Sequence, residues 1–110
     1  MGTWVAYGLL LIAACLEAGG DALVRLGLAN QAGARIGFFA AGAAVLFLYG
    51  LSVNAPAWDF GRLLGVYVTL FFVVAQVINL LVFKVPPGLP VLAGGALVVA
   101  GGLVMTLWRA

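Results

Sequence analysis

Histidine is absent from these 110 residues, and cysteine occurs once, at Cys15. Zinc chemistry and triad catalysis therefore have almost no material to work with, and an internal disulfide is excluded. No nucleophile–base pair is in sight, so the chain does not read as an enzyme, and no cofactor or metal is expected. Charge is equally scarce: charged residues make up 7%, against roughly 25% in ordinary soluble domains. The five basic residues stand singly and the net charge is only +2. That distribution offers no stripe for phosphates and argues against nucleic acid as a partner.

What fills the space is apolar. Hydrophobic residues reach 66%, well above the 45–50% or so of soluble domains. A core of this size needs far less apolar material, so lipid must cover the surplus. The start, Met1-Gly2-Thr3-Trp4, lacks the basic region of a cleaved signal peptide, and the first apolar run is expected to be retained as a span.

Residues 1–110 divide into four apolar segments, at about 4–26, 36–53, 61–83 and 89–108. Each has roughly the 17–25 residues that a helix needs to cross ~30 Å of hydrocarbon. The breaks are Asn30-Gln31-Ala32-Gly33, Asn54-Ala55-Pro56 and Pro86-Pro87-Gly88-Leu89-Pro90, all turn chemistry. Trp4, Tyr7, Trp58 and Trp108 fall toward segment ends, where interfacial aromatics belong. Barrel strands would be about ten residues long and alternating, and these segments are neither. The expectation is one all-α integral membrane domain of four transmembrane helices in the cell (inner) membrane.

Four spans place Arg62 and Arg109 on one side and Arg25, Arg35 and Lys84 on the other. An excess of one basic residue barely sets orientation. Such a chain either inserts both ways and dimerises antiparallel or takes a single, weakly biased orientation.

Glu17 stands near the middle of the first run. An ionised side chain at the centre of a span costs at least ~2.5–3.5 kcal/mol on insertion scales, and by default marks a proton, ion or substrate site. Helical periodicity puts Ala13, Ala14, Gly20 and Asp21 on the same face. Small neighbours leave room for a ligand or another helix. The competing structural role for Glu17 is a hydrogen bond to Gln76 or Asn79 of the third segment. Asp21 is four residues before Arg25 and pairs with it along the helix, or else it joins the site as a second carboxylate. In the third segment Thr69, Gln76 and Asn79 form a polar stripe bordered by Phe72 and Phe83, serving either as interhelical glue or as cavity lining. Tyr67 lies nearly opposite Thr69 and Gln76. The fourth segment repeats small residues seven apart, Ala93-Gly94-Gly95 and Ala100-Gly101-Gly102, a stripe suited to close helix–helix approach.

Together these features resemble the small multidrug resistance family of proton-coupled antiporters. The string Glu17-Ala18-Gly19-Gly20-Asp21-Ala22-Leu23-Val24-Arg25 is similar to its first-helix pattern, an essential glutamate with glycine three later and a basic residue eight later. Gly61 with Tyr67 resembles its third-helix glycine-to-tryptophan spacing. Leu89-Pro90-Val91-Leu92-Ala93-Gly94 and Ala100-Gly101 resemble the fourth-helix glycine heptad. The resemblance covers nearly the whole chain. It departs at Tyr67, where the family has tryptophan, at Leu64 in place of an aromatic, and at Asp21 in place of a small or hydroxyl residue. The Gly61-Arg62 start and Tyr67 look closer to a sister branch of the superfamily than to its drug or guanidinium exporters.

The resemblance implies antiport of a small organic cation against protons by an antiparallel homodimer. Glu17 from both subunits would form the shared site, with Tyr67, Asp21, Gly20, Ala13 and Gln76 around it and Gly94 and Gly101 at the dimer interface. The alternative is a non-transporting or heteromeric partner subunit of the same superfamily, such as a flippase or transporter assembly component. A lipid-linked substrate would favour an apolar groove over a carboxylate. A dual-topology fluoride channel would need an anion pathway, which a central glutamate without a compensating cation opposes.

Overall fold

The computed structural model describes residues 2–108; Arg109, used in the charge comparison above, lies outside them. The described residues are all-helical, with four helices: α1 (Thr3–Leu28), α2 (Ala32–Val53), α3 (Phe60–Leu81) and α4 (Leu89–Leu107). At 1.5 Å per residue α1 is about 39 Å long, and the other three are about 29–33 Å. Helices α2, α3 and α4 are long and apolar enough to cross a membrane. Their outer faces remain apolar, with Leu89 78%, Leu97 76% and Ile36 70% exposed. A water-soluble monomer rarely exposes apolar surface so continuously, and these are the features of a membrane protein.

The breaks fall where turn chemistry places them, and side chains close the helix ends. α2 begins at Ala32, four residues before the apolar run that announces it. Ala32, Gly33, Ala34 and Arg35 carry no hydropathy signal, yet nothing in them opposes helix. Arg35 explains the tight α1–α2 reversal. Its Nε donates to Gly27 O at 3.2 Å and Asn30 O at 3.1 Å, and its Nη2 donates to Leu28 O at 3.1 Å. Leu28 O and Asn30 O would otherwise be left for solvent, while Gly27 O also accepts from the Asn30 backbone N–H at 3.2 Å. Asn30 Nδ2 adds a bond to Leu26 O at 2.8 Å. Asp59 caps α3, accepting from the Arg62 backbone N–H at 3.1 Å. α3 ends at Leu81, and Lys84 then takes a left-handed φ of 60°. Pro90, in the first turn of α4, starts the last helix where its missing N–H costs nothing.

The helices pack in the order α2–α1–α3–α4, and α4 rests mainly on α3. The result is a slab, 52 × 35 × 19 Å, rather than a closed bundle. α1 and α2 approach closely because glycines face across the contact. A Cβ added at Gly20 would lie 2.7 Å from the Leu46 side chain, and one at Gly42 would lie 2.8 Å from Val24 Cγ2 and 3.2 Å from Gly20 O. The buried centre is Leu10, Ala13 and Ala14 of α1 against Val53, Leu63, Val66 and Tyr67.

α4 uses its small residues in a way the sequence leaves open. Gly95 faces Phe72, where an added Cβ would come within 2.5 Å of the ring, and Gly102 faces Thr69 with no room for a Cβ at all. Gly94 and Gly101, one position earlier in each triplet, face open space with nothing within 4 Å. One glycine row thus closes α4 onto α3 within the subunit, and the adjacent row is left on the outside.

Candidate functional site

Glu17 is half-buried on the α1 face that meets α3. Its neighbour there is Tyr67, 3% exposed, whose hydroxyl donates to Glu17 Oε1 at 2.7 Å and lies 3.3 Å from Ala13 O. This geometry follows from small residues. Ala13 and Ala14, both 0% exposed, let α3 come close enough for a phenol to reach one turn along α1. A hydrogen bond to an ionised oxygen is shorter and roughly twice as strong as one between neutral groups. The partner anticipated for a structural Glu17, Gln76 or Asn79, is not the one observed.

Two further aromatic rings pack around Tyr67. The Tyr49 ring of α2 is 5.7 Å from Tyr67, tilted by 34°, and Phe71 is 6.1 Å away, tilted by 31°. Tyr49 and Phe71 are absent from the candidates named by sequence reasoning. Phe71 follows Tyr67 by four residues, so the helical period alone would have placed it on the same face. Tyr49 carries no such signal, since it arrives from another helix.

The remaining candidates separate. Gly20 is buried against Leu46 and serves the α1–α2 contact, and Ala13 supplies a wall and a carbonyl. Asp21 is exposed one turn beyond Glu17. It lines a cavity of about 340 Å³ between α1 and α3 together with Arg25, Gln76 and Asn79, with Phe71 and Phe83 as aromatic walls. Arg25 lays its guanidinium over the Phe83 ring, 5.6 Å from the centroid. Among the described residues, no ion pair within 4.0 Å joins it to Asp21. Thr69 parts from the polar stripe: it faces α4 and donates to Val98 O at 3.3 Å. Gln76 borders both the α1–α3 cavity and a second, almost wholly apolar groove of about 570 Å³ between α3 and α4.

Chemically, the arrangement is a carboxyl group steadied by one phenol, next along α1 to a cavity lined by one further carboxylate, one guanidinium and two amides. It can exchange a proton or hold a cationic group. The comparisons add no relative: no family model, no characterised protein and no solved structure matches this chain.

Proposed function

We propose that this chain exchanges a small organic cation for protons across the cell (inner) membrane, as an antiparallel homodimer of four-span subunits of the small multidrug resistance type. The observation that carries the reading is Glu17, a half-buried carboxyl in an apolar helix whose side-chain partner is a tyrosine hydroxyl rather than a cation. An intramembrane carboxyl that lacks a compensating charge is expensive as a structural element and is by default a site for something that binds it. α1 is the fourth span, and its 26 residues exceed what a crossing needs.

Proton and cation compete for the same oxygens, so occupancy by one excludes the other, and alternate exposure of the site converts that exclusion into exchange. Tyr67 holds one oxygen in place and leaves the remaining lone pairs of the carboxylate for the ligand. The outward row of Gly94 and Gly101 supports pairing of two subunits through α4, since nothing within the subunit occupies the space in front of it.

The test is proton release from the detergent-solubilised protein as a series from methylammonium to tetraethylammonium is added. Wild type should release protons on binding, and Glu17→Gln should release none. Equal release from the variant would overturn the reading. Silence across the whole series would favour the non-transporting partner subunit instead.

A further inference from the structure

The cavity between α1 and α3 is not an ordinary cation site. None of the side-chain hydrogen bonds of the described residues uses Asp21, Gln76 or Asn79. Asp21 and Arg25 lie four residues apart on one helix, where opposite charges ordinarily meet. Here Arg25 reaches across to Phe83 of the segment that follows α3, and Asp21 stays on the α1 side. The cavity is therefore lined by a negative and a positive group that do not pair within 4.0 Å, together with two amides and two aromatic rings. Since α1 and α3 run in the same direction, Arg25, Asn79 and Phe83 lie at one end of the cavity, and Glu17, which is not among its lining residues, lies about 12 Å from Arg25 along α1 at 1.5 Å per residue. At about 340 Å³ the cavity is at the small end of ligand pockets, which run from ~300 to 1,000 Å³.

We propose that the α1–α3 cavity binds a small zwitterion, its ammonium end on Asp21 and its carboxylate end on Arg25. A simple cation gains Asp21 but meets the like charge of Arg25, and a simple anion has the reverse difficulty. A molecule bearing both charges, separated by a few carbon atoms, satisfies the two groups at once. Gln76 and Asn79 each offer donors and an acceptor, which suits either end of such a ligand. The proposal goes beyond the exchanger reading and does not rest on it for binding, since Glu17 is not among the residues that line the cavity.

Equilibrium binding to the purified full chain in nanodiscs, with 4-aminobutyrate, butylamine and butyrate as matched probes, tests it. Wild type should bind 4-aminobutyrate about tenfold or more tighter than either singly charged probe, the smallest preference expected of one satisfied extra charge. Arg25→Gln should erase the preference over butylamine, and Asp21→Asn the preference over butyrate. Glu17→Gln should lose the proton release that alkylammonium ions cause in wild type. Equal affinity for 4-aminobutyrate and butylamine in wild type, or no binding of any probe, would overturn the proposal even if a variant fails to fold. Zwitterion binding with no proton release by any alkylammonium ion would keep the proposal and reject the exchanger. Glu17-dependent proton release by alkylammonium ions with no zwitterion preference would do the opposite.

Discussion

Removing the Tyr67 hydroxyl while keeping its ring isolates the contact on which the site is built. Tyr67→Phe preserves the packing against Tyr49 and Phe71 and deletes the 2.7 Å bond to Glu17 Oε1 and the 3.3 Å contact with Ala13 O. A hydrogen bond to a charged group contributes about 1.5–3 kcal/mol, and one between neutral groups about 0.5–1.5 kcal/mol. The Ala13 contact is long and neutral, so the Glu17 bond should dominate the loss. Glu17→Gln removes the charge while keeping the shape, and combining the two variants closes a thermodynamic cycle. The contact with Ala13 cancels in that cycle, because it is lost in the same way on both arms. The glutamine oxygen still accepts from the phenol, so unfolding of the four proteins in detergent, by mild denaturant titration at one pH, should give a coupling energy of about 1–1.5 kcal/mol between positions 17 and 67, the difference between the charged and the neutral bond. Tyr49→Phe provides the control. Its ring stacks on Tyr67 but makes no hydrogen bond to Glu17, so its combination with Glu17→Gln should be additive within about 0.5 kcal/mol. A coupling below that threshold for Tyr67 would refute the reasoning, since it would mean that the carboxyl is equally well served by something other than the phenol.

The two glycine rows of α4 should behave oppositely. Gly102→Ala forces Thr69 aside and endangers its bond to Val98 O, an overpacking cost of about 1–3 kcal/mol, whereas Gly101→Ala meets nothing in the subunit and gains up to about 1 kcal/mol of helix propensity. Thermal unfolding should rank Gly101→Ala above Gly102→Ala, and the reverse order would reject the assignment of rows. Gly101→Leu, alone or with Gly94→Leu, should leave the subunit folded and weaken the dimer in crosslinking or light scattering; an undiminished dimer would move the interface elsewhere. Arg35→Ala should uncover two carbonyls around the α1–α2 reversal, those of Leu28 and Asn30, and cost about 1–3 kcal/mol, read as faster hydrogen exchange at the end of α1 with little effect at α4.

Composition and local pattern determined a great deal here. Long apolar runs divided by proline, glycine and asparagine specify helices and their ends, because hydropathy and turn chemistry are properties of neighbouring residues. The position of Glu17 within the first run singled it out for the same reason, since the cost of a charge among apolar neighbours needs no tertiary contact to be recognised. What Glu17 touches was another matter. Its hydrogen-bond partner is fifty residues away in the chain, and Tyr67, Gln76 and Asn79 were all chemically able to reach it. Only the rotation of α3 against α1 chose the tyrosine, turned Thr69 toward α4 and left Gln76 and Asn79 on a separate cavity.

The same limit governed Arg25, where four-residue spacing favoured a pair with Asp21 and the chain following α3 brought Phe83 instead. It governed the glycines of α4 as well. Adjacent positions on a helix point about 100° apart, so a triplet of small residues contains more than one smooth row. The sequence by itself determined that α4 could be approached closely; the packing against Phe72 and Thr69 decided which row was used inside the subunit and which stayed free. A helix carries its own hydrogen bonds and can be read residue by residue, whereas the face it turns to a neighbour is settled by the fit of two surfaces that only the fold brings together.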